Sequence, residues 1–405
     1  MTSLASRLRL PEAVGLSLSV ISPTVTAAFN ITLVVQAVGE AAPLVFVIGM
    51  VAMALVALSF MAFTHRVAHA GSAYAYISHT FGSRAGFITG WTLLLTYLGF
   101  STGFAALVGN FTCAALRGFG IEAGNWWIAI GAGGMVLAWW LAYRDMRLAG
   151  RLMLLLEGIA IIAIVGLCIS ILHQVHLDIG RMGASFHPTS QYNGWVGVGF
   201  GMVFSILSFS GFEGAATLGE ETINPRRNIP IALLGTVLGS GVFFVFVAYC
   251  EVAGYGPQGI KDLAASQAPL DDLALRFGSP RLAILLDLAA AVSCFSGIIG
   301  GLAAAGRILF ALNTSTIGVL ALILIYVGVG AAETVEAWRE RRAVWAGVCT
   351  LGPVLLLWVL YRNIYPVPEF PNNLWPYFAF VWAIASLALI RLRPGVAVAP
   401  LPHYS

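Results

Sequence analysis

The chain has 405 residues, of which 59% are hydrophobic and only 10% charged, and its mean hydropathy is +0.88. Soluble domains carry roughly 25% charged residues, so this composition excludes an ordinary soluble protein and indicates a polytopic membrane protein. A formal net charge of +3 is too small to argue for a nucleic-acid partner. The five cysteines, Cys113, Cys168, Cys250, Cys294 and Cys349, fall in or near apolar stretches. Their odd number and scatter predict neither a disulfide framework nor a zinc site, and no metal or other cofactor is expected. Lys261 is the only lysine among 21 basic residues, which reads as composition bias rather than function. Residues 1–10 are short and basic, and the apolar stretch after them lacks a small-residue cleavage pattern, so no cleavable signal is expected.

Hydropathy predicts about eleven membrane spans, at 12–37, 41–64, 85–113, 125–143, 150–172, 194–221, 229–254, 281–306, 314–335, 343–361 and 374–391. The first carries the breaker Ser22-Pro23-Thr24, followed by Val25, Thr26, Ala27 and Ala28. Proline removes one backbone donor and frees the carbonyl about four residues before it. The small residues leave room for a ligand beside open backbone. The N-terminus of the continuing half-helix would offer N–H groups to a carboxylate. The alternative is a proline kink whose hydroxyls bond back to the helix. Between the second and third spans, His65 and His69 have the i, i+4 spacing of a zinc pair. They lack the Glu that follows the first His in zinc peptidases, so a loop turn accounts for them better.

The sixth span is the most informative. It runs into Ser210-Gly211-Phe212-Glu213-Gly214, which puts a carboxylate between two glycines at roughly mid-membrane depth. A charge inside hydrocarbon costs several kcal/mol unless it faces a cavity or a partner. Helices broken at midplane are how many transporters build a binding site. Glu213 is therefore expected to pair with a substrate amine, or to titrate as a proton carrier or gate. Burial favours the protonated carboxyl and an incoming ammonium favours the charged one, so one residue could link proton release to binding. The structural alternative is a cap on the second half-helix. Phe209 and Phe212 flank the break, either as an aromatic lid over an ammonium or as ordinary packing. Glu220, Glu221 and Asn224-Pro225-Arg226-Arg227 follow, a stop and cytoplasmic anchor. In the eighth span, Ser293 and Ser296 could supply oxygens to an ion site or serve as helix–helix contacts. Asp287 of the same span is expected near the outer vestibule.

Basic residues orient the chain. With a cytoplasmic N-terminus, Arg7, Arg9, Arg66, Arg84, Arg144, Arg147, Arg151, Arg226, Arg227 and Arg307 lie inside, against Arg117, Arg181, Lys261, Arg276 and Arg281 outside. That is a clear inside bias. After the eighth span the pattern fails. Simple alternation puts the dense cluster Arg339, Arg341, Arg342 outside, with Arg391 and Arg393. One additional crossing between Arg307 and Thr314 would restore all of these to the inside, yet so few residues cannot cross a ~30 Å core. Either a helix is absent near 312–314, or the last spans are inverted against the charge rule. The first reading is preferred.

The stretches GFEGAATLGEETINPRRNIPIA, HAGSAYAYISHTFGSRAGFITGW (69–91) and AAAGRILFAL (303–312) resemble the amino acid–polyamine–organocation permeases, over most of residues 10–312 and more loosely over 314–392. The resemblance implies an all-α, leucine-transporter-type inverted-repeat fold with twelve helices. Helices one and six are broken around the substrate, and helices three, four, eight and nine form a static scaffold. By that template the absent crossing is helix nine. The whole chain, 1–405, would be a single transport domain, with repeats at 11–172 and 193–361, the latter shortened near 312–314, and a terminal helix at 374–391. The breaks at Ser22–Ala28 and Ser210–Gly214 lie five spans apart, as two repeats require. The substrate-binding set would be Ser22, Thr24, Val25, Thr26, Ala27, Phe209, Ser210, Gly211, Phe212, Glu213 and Gly214, with Tyr97 of span three added by analogy beside Thr96. Glu157 in the fifth span falls where some proton-coupled relatives carry an ionisable residue, facing helices one and eight. The alternative there is a buried structural acid.

The expected function is secondary active transport of an amino acid or related amine across the cell membrane by alternating access, coupled to protons or to an exchanged substrate. A non-transporting sensor, a partner subunit or a decayed permease is the alternative, because a scaffold helix is absent. No nucleotide-binding loop is present, so primary pumping is not expected. An intramembrane enzyme is not expected either, since no paired Asp or Ser–His constellation lies at membrane depth. The partners are a small amine or amino acid, protons or counter-substrate, and the lipid bilayer.

Overall fold

The computed structural model describes residues 10–66, 73–144, 146–175, 183, 185–218, 222–312, 319–364, 381 and 384. The described chain is nearly all helical. The first span is made of α1 (Leu10–Ile21), α2 (Pro23–Val25), a π-helical turn at Thr26–Asn30, and α3 (Ile31–Val38). Then follow α4 (Ala42–Arg66), α5 (Ala73–Phe81), α6 (Ser83–Gly118), α7 (Trp127–Arg144) and α8 (Met146–Val175). The sixth span is α9 (Trp195–Phe209) and a 3-10 segment at Phe212–Leu218. After it come α10 (Pro225–Tyr255), α11 (Ile260–Ala265), α12 (Pro269–Phe277), α13 (Pro280–Leu312), α14 (Val319–Arg339) and α15 (Ala343–Ile364).

Among the described residues six helical stretches are long and apolar enough to cross a membrane. One of them, Pro23–Thr64, has 42 residues. At 1.5 Å per residue it would be about 63 Å long, twice a ~30 Å core. It folds into two crossings at Gly39, whose φ of 61° suits a residue without Cβ and whose α-carbon lies under the Tyr192 ring. The expected total of about eleven includes 374–391, of which only residues 381 and 384 are described, and Glu220, Glu221 and His69 lie outside the described residues. The stretch 69–91 contains a helix, α5. Its Ala73, Tyr74, Ala75, Tyr76, Ile77 and Ser78 are buried, and Gly82, at φ 89°, turns the chain into α6.

Small residues bring α6 and α13 together in one antiparallel register. Gly118 lies against Ile284, Gly297 against Phe104, and Gly301 against Ser101 and the Tyr97 carbonyl. As one number falls the other rises by nearly the same step, so the two helices run antiparallel in one register across these contacts. Close approach at Gly and Ser is how helices associate where lipid is as apolar as the side chains.

The two breaks form differently and sit side by side. Ser22 takes a left-handed conformation (φ 49°) and ends α1, its N–H donating to the Leu18 carbonyl at 2.9 Å. Pro23 then opens α2 at the one position where a missing N–H costs nothing. At the second break Ser210 is extended and Gly211 has φ 101°. A Cβ on Gly211 would lie 2.3 Å from Val20 Cγ1 of α1. Ser17 of α1 ties the two together: its hydroxyl donates to the Phe212 carbonyl (2.8 Å) and accepts from the Ala215 N–H (3.0 Å).

Residues 313–318 join α13 to α14. Fully extended they reach about 25 Å, short of a ~30 Å core. Hence α14 enters from the face where α13 ends. Side-chain levels agree. The Tyr326 ring meets Phe60 near the end of α4, whereas Gly330 meets Pro353 and the neighbouring Gly352 meets Leu55, further back along α4. So α14 runs antiparallel to α4, and Arg339, Arg341 and Arg342 emerge on the face opposite the α5–α6 turn.

Two measurements check this arrangement. In membranes, Glu340→Cys and Arg84→Cys should label with an impermeant maleimide from opposite faces, and labelling from one face would refute the α13–α14 connection. Gly211→Ala should lower stability by about 1–3 kcal/mol through overpacking and the disallowed φ. Gly239, in α10 with open space around its α-carbon, should tolerate Ala, and equal melting shifts for the two variants would contradict the strained break.

Candidate functional site

The 3-10 turn after Gly211 aims Glu213 inward, where it is 1% exposed. Its Oε1 accepts from the Tyr97 hydroxyl of α6 at 3.1 Å. Its Oε2 accepts from the Tyr326 hydroxyl of α14 at 2.9 Å and from the Gly211 N–H at 3.1 Å. None of these partners is a cation. Hydrogen bonds to a charged group are worth about 1.5–3 kcal/mol each, so three of them offset much of the cost of burying a carboxylate. A phenol can donate or accept, so the two tyrosines can serve the carboxyl in either protonation state. Phe212 packs between Phe60 and Tyr326, with ring centroids at 5.3 and 5.6 Å, and closes the cluster on one side.

A second cluster forms at the first break. The N–H of Thr24, one of the orphan donors of the α2 terminus, donates to Glu157 Oε1 of α8 at 2.8 Å. Glu157 is 7% exposed. The Ser22 hydroxyl donates to the Ser293 carbonyl of α13 at 3.3 Å. The hydroxyls of Ser293 and Thr24 also approach the Glu157 carboxyl, though neither closes a hydrogen bond of normal geometry. The half-helix terminus expected to meet a carboxylate therefore already meets one, supplied by the protein. Thr26 is buried, and its hydroxyl has no hydrogen-bond partner among the described residues.

The structure thus brings Glu213, Tyr97, Gly211 and Phe212 together, and separately Ser22, Thr24, Glu157 and Ser293. Other expected site residues are engaged elsewhere. Phe209 packs on Phe244 at 5.2 Å. The Ser210 hydroxyl bonds back to the Ile206 carbonyl at 3.1 Å. The Gly214 N–H closes a turn to Gly211 at 2.9 Å, and Thr96 bonds back to Thr92 at 3.3 Å. Val25 and Ala27 are core, and Ser296 is buried further along α13. A cavity of about 400 Å³ lies elsewhere, lined by Gln36, Gln191, Tyr192, Lys261, Ala264 and Ala265. Among the described residues no three His, Cys, Asp or Glu side chains converge as metal ligands.

Three residues escape a reading by motif. Tyr326 stands among aliphatic residues in a span whose orientation the charge pattern leaves in dispute. Ser17 is one of many serines in apolar helices. Glu251 in α10 is an acid within an apolar span, as Glu213 is, but lacks the flanking glycines. It is fully buried, and neither carboxyl oxygen has a hydrogen-bond partner among the described residues.

Comparison with known proteins agrees with this architecture. A family profile described as amino acid permease matches residues 9–330. The chain is similar to the branched-chain amino acid permease of Lactococcus lactis subsp. cremoris (strain MG1363), 26% identical over 271 residues, covering 63% of this chain and 57% of that protein. It is also similar to the putrescine transporter of Escherichia coli (strain K12), 26% identical over 245 residues, covering 57% and 51%. The chain thus spans about half the length of the curated relatives it matches. Among solved structures, the manganese transporter of Eremococcus coleocola superposes with a TM-score of 0.52 at 13% identity, over 100% of this chain and 93% of that one. Such a likeness speaks for the fold alone. With two broken spans, a buried acid between them and a profile covering most of its length, the chain is a multi-pass membrane protein that belongs to the amino acid permease family of the amino acid–polyamine–organocation superfamily.

Proposed function

We propose that this chain carries an amino acid or a related amine across the cell membrane by alternating access, with Glu213 as the residue that meets the ammonium group or its proton. The observation that carries this is the setting of Glu213: fully buried in a broken span, held by two phenols and one backbone N–H, with no cation among its partners. An ammonium entering between Tyr97 and Tyr326 would replace phenol donors with charged ones. The names of the relatives, one for branched-chain amino acids and one for putrescine, support that range of substrates.

Glu157 is the proposed coupling acid. As a carboxylate it caps the α2 terminus through Thr24 and stabilises it electrostatically. Once protonated it would lose most of that attraction and loosen α2 from α8. Ser293 and Ser296 line the same side of α13 as a possible ion route. In this scheme 11–172 and 193–361 are the two repeats, 374–391 is the terminal helix, and α1 starts in the cytoplasm. The α6–α13 pair is the fixed frame, and the units containing α1 and α9 rock against it.

The connection at 313–318 favours a second reading. A permease lacking helix nine has lost part of its frame and would bind its ligand without moving it. Uptake of labelled leucine and 1,4-diaminobutane into proteoliposomes, beside thermal stabilisation by the same compounds, separates the two. Transport predicts uptake that falls at least tenfold in Glu213→Gln, and a flattened pH profile in Glu157→Gln. Stabilisation without uptake selects the non-transporting form, and wild-type behaviour of both variants at every pH removes both acids from the mechanism.

A further inference from the structure

We propose that Glu251 of α10 is a proton-holding site covered by α12, separate from Glu213 and Glu157: it keeps a proton while α12 is closed over it and gives the proton up when α12 lifts. The site does not depend on what the chain carries. Glu251 is 1% exposed, and neither carboxyl oxygen has a hydrogen-bond partner among the described residues. The other two membrane acids differ. Glu213 accepts three hydrogen bonds, and Glu157 accepts one from a backbone N–H. A carboxylate in an apolar interior with neither donor nor counter-ion has nothing to offset its lost hydration. The uncharged acid is the form that fits this site.

The surroundings are apolar and tight. Gly254 follows Glu251 by three residues and Tyr255 by four, so all three share one face of α10. A Cβ on Gly254 would lie 2.7 Å from Leu273 Cδ2 of α12, 3.3 Å from Ile171 Cγ2 of α8 and 3.5 Å from Phe277 Cε2. Helices α8 and α12 thus close over this face. Cys168 stands one turn before Ile171 and Cys250 beside Glu251, and both thiols are buried. The charged groups of the neighbouring elements are engaged or exposed. Asp272 of α12 accepts from the Tyr255 and Ser266 hydroxyls, each at 2.7 Å. The Arg276 guanidinium sits over the Tyr255 ring at 4.9 Å. Asp271 is half-buried, α11 offers the exposed Lys261 and Asp262, and Glu40 precedes α4. Among the described residues none of them bonds to Glu251.

The cover is short and fastened at both ends. Asp272, in the first turn of α12, holds it to Tyr255 of α10. The Phe277 carbonyl at its other end accepts from the Ser170 hydroxyl at 2.7 Å and the Gln174 amide at 3.0 Å, both of α8. Leu270, Leu273 and Ala274 are buried between these ties. Glu251 lies one turn, about 6 Å, before the end of α10. Lifting α12 alone would therefore bring water to it, and opening of so small a unit is an ordinary local event. The Glu251 O–H bond then breaks, its electron pair stays on the carboxylate, and the proton passes to that water. Closure requires the proton back, because the covered site has no donor for the anion. Proton loss and lifting of α12 thus favour one another.

The test is isotope-edited infrared spectroscopy of the full chain in proteoliposomes at neutral pH, with carboxyl-labelled glutamate. The expected result is a labelled C=O band of a protonated carboxyl in wild type that is lost in Glu251→Gln and kept in Glu122→Gln, which removes an exposed acid between α6 and α7. Glu251→Asp keeps an acid in place but carries no label, so it loses the band too and serves if the Gln variant does not fold. On transfer to heavy water the band should shift slowly in wild type. In Tyr255→Phe and Ser170→Ala, each lacking one tie of α12, it should shift roughly tenfold faster or more. An equal band in wild type and both Glu251 variants overturns the proton site. Equal exchange rates in wild type and both tie variants overturn α12 as its cover. Leucine uptake is read on the same vesicles: no uptake with the band intact defeats the transport reading and leaves the proton site standing.

Discussion

Inside a bilayer no water reaches a freed backbone group, and each unsatisfied one costs several kcal/mol. A membrane helix can therefore break only where something else supplies the lost hydrogen bonds. Both breaks in this chain meet that requirement with side chains from distant parts of the sequence. Ser17 serves the Phe212 carbonyl and the Ala215 N–H of the second break, and Glu157 serves the Thr24 N–H of the first. The breaks are thus joined to α8 and to each other, and a change at either is felt by the rest.

The frame around them is set by size rather than by polarity. Glycines and serines along α6 and α13 let the two helices lie in a single close register. That register decides where Tyr97 and Asp287 stand. The first points at the Glu213 carboxyl, and the second stands on the part of α13 that α12 packs against. A larger residue at Gly297 or Gly301 would separate the helices and displace both acids' surroundings at once, since packed interiors transmit strain.

Glu213 shows how a charge-bearing group is kept at membrane depth without a counter-ion. Two phenols and one N–H surround it, and each phenol can reverse its role when the carboxyl takes a proton. A fixed cation would hold the acid in one state. The phenolic arrangement leaves both states accessible. Tyr326 comes from α14, the first helix after residues 313–318, so that part of the chain completes the cluster.

The sequence by itself determined the membrane class, the helical fold and both break positions, and it singled out Glu213. These are local properties: apolar runs set spans, Pro23 and Gly211 set breaks, and an acid between glycines is conspicuous within a few residues. It also marked Glu157 and Tyr97, through resemblance to a family. Tertiary structure alone decided what each acid touches. Tyr326 lies more than a hundred residues from Glu213, and nothing in its apolar span marks it as a partner. Phe209 and Ser210 sit beside Glu213 in sequence, yet one turns to Phe244 and the other back to Ile206. Neighbours along a broken helix leave it in different directions, and only the packing of the surrounding helices fixes which of them face the site.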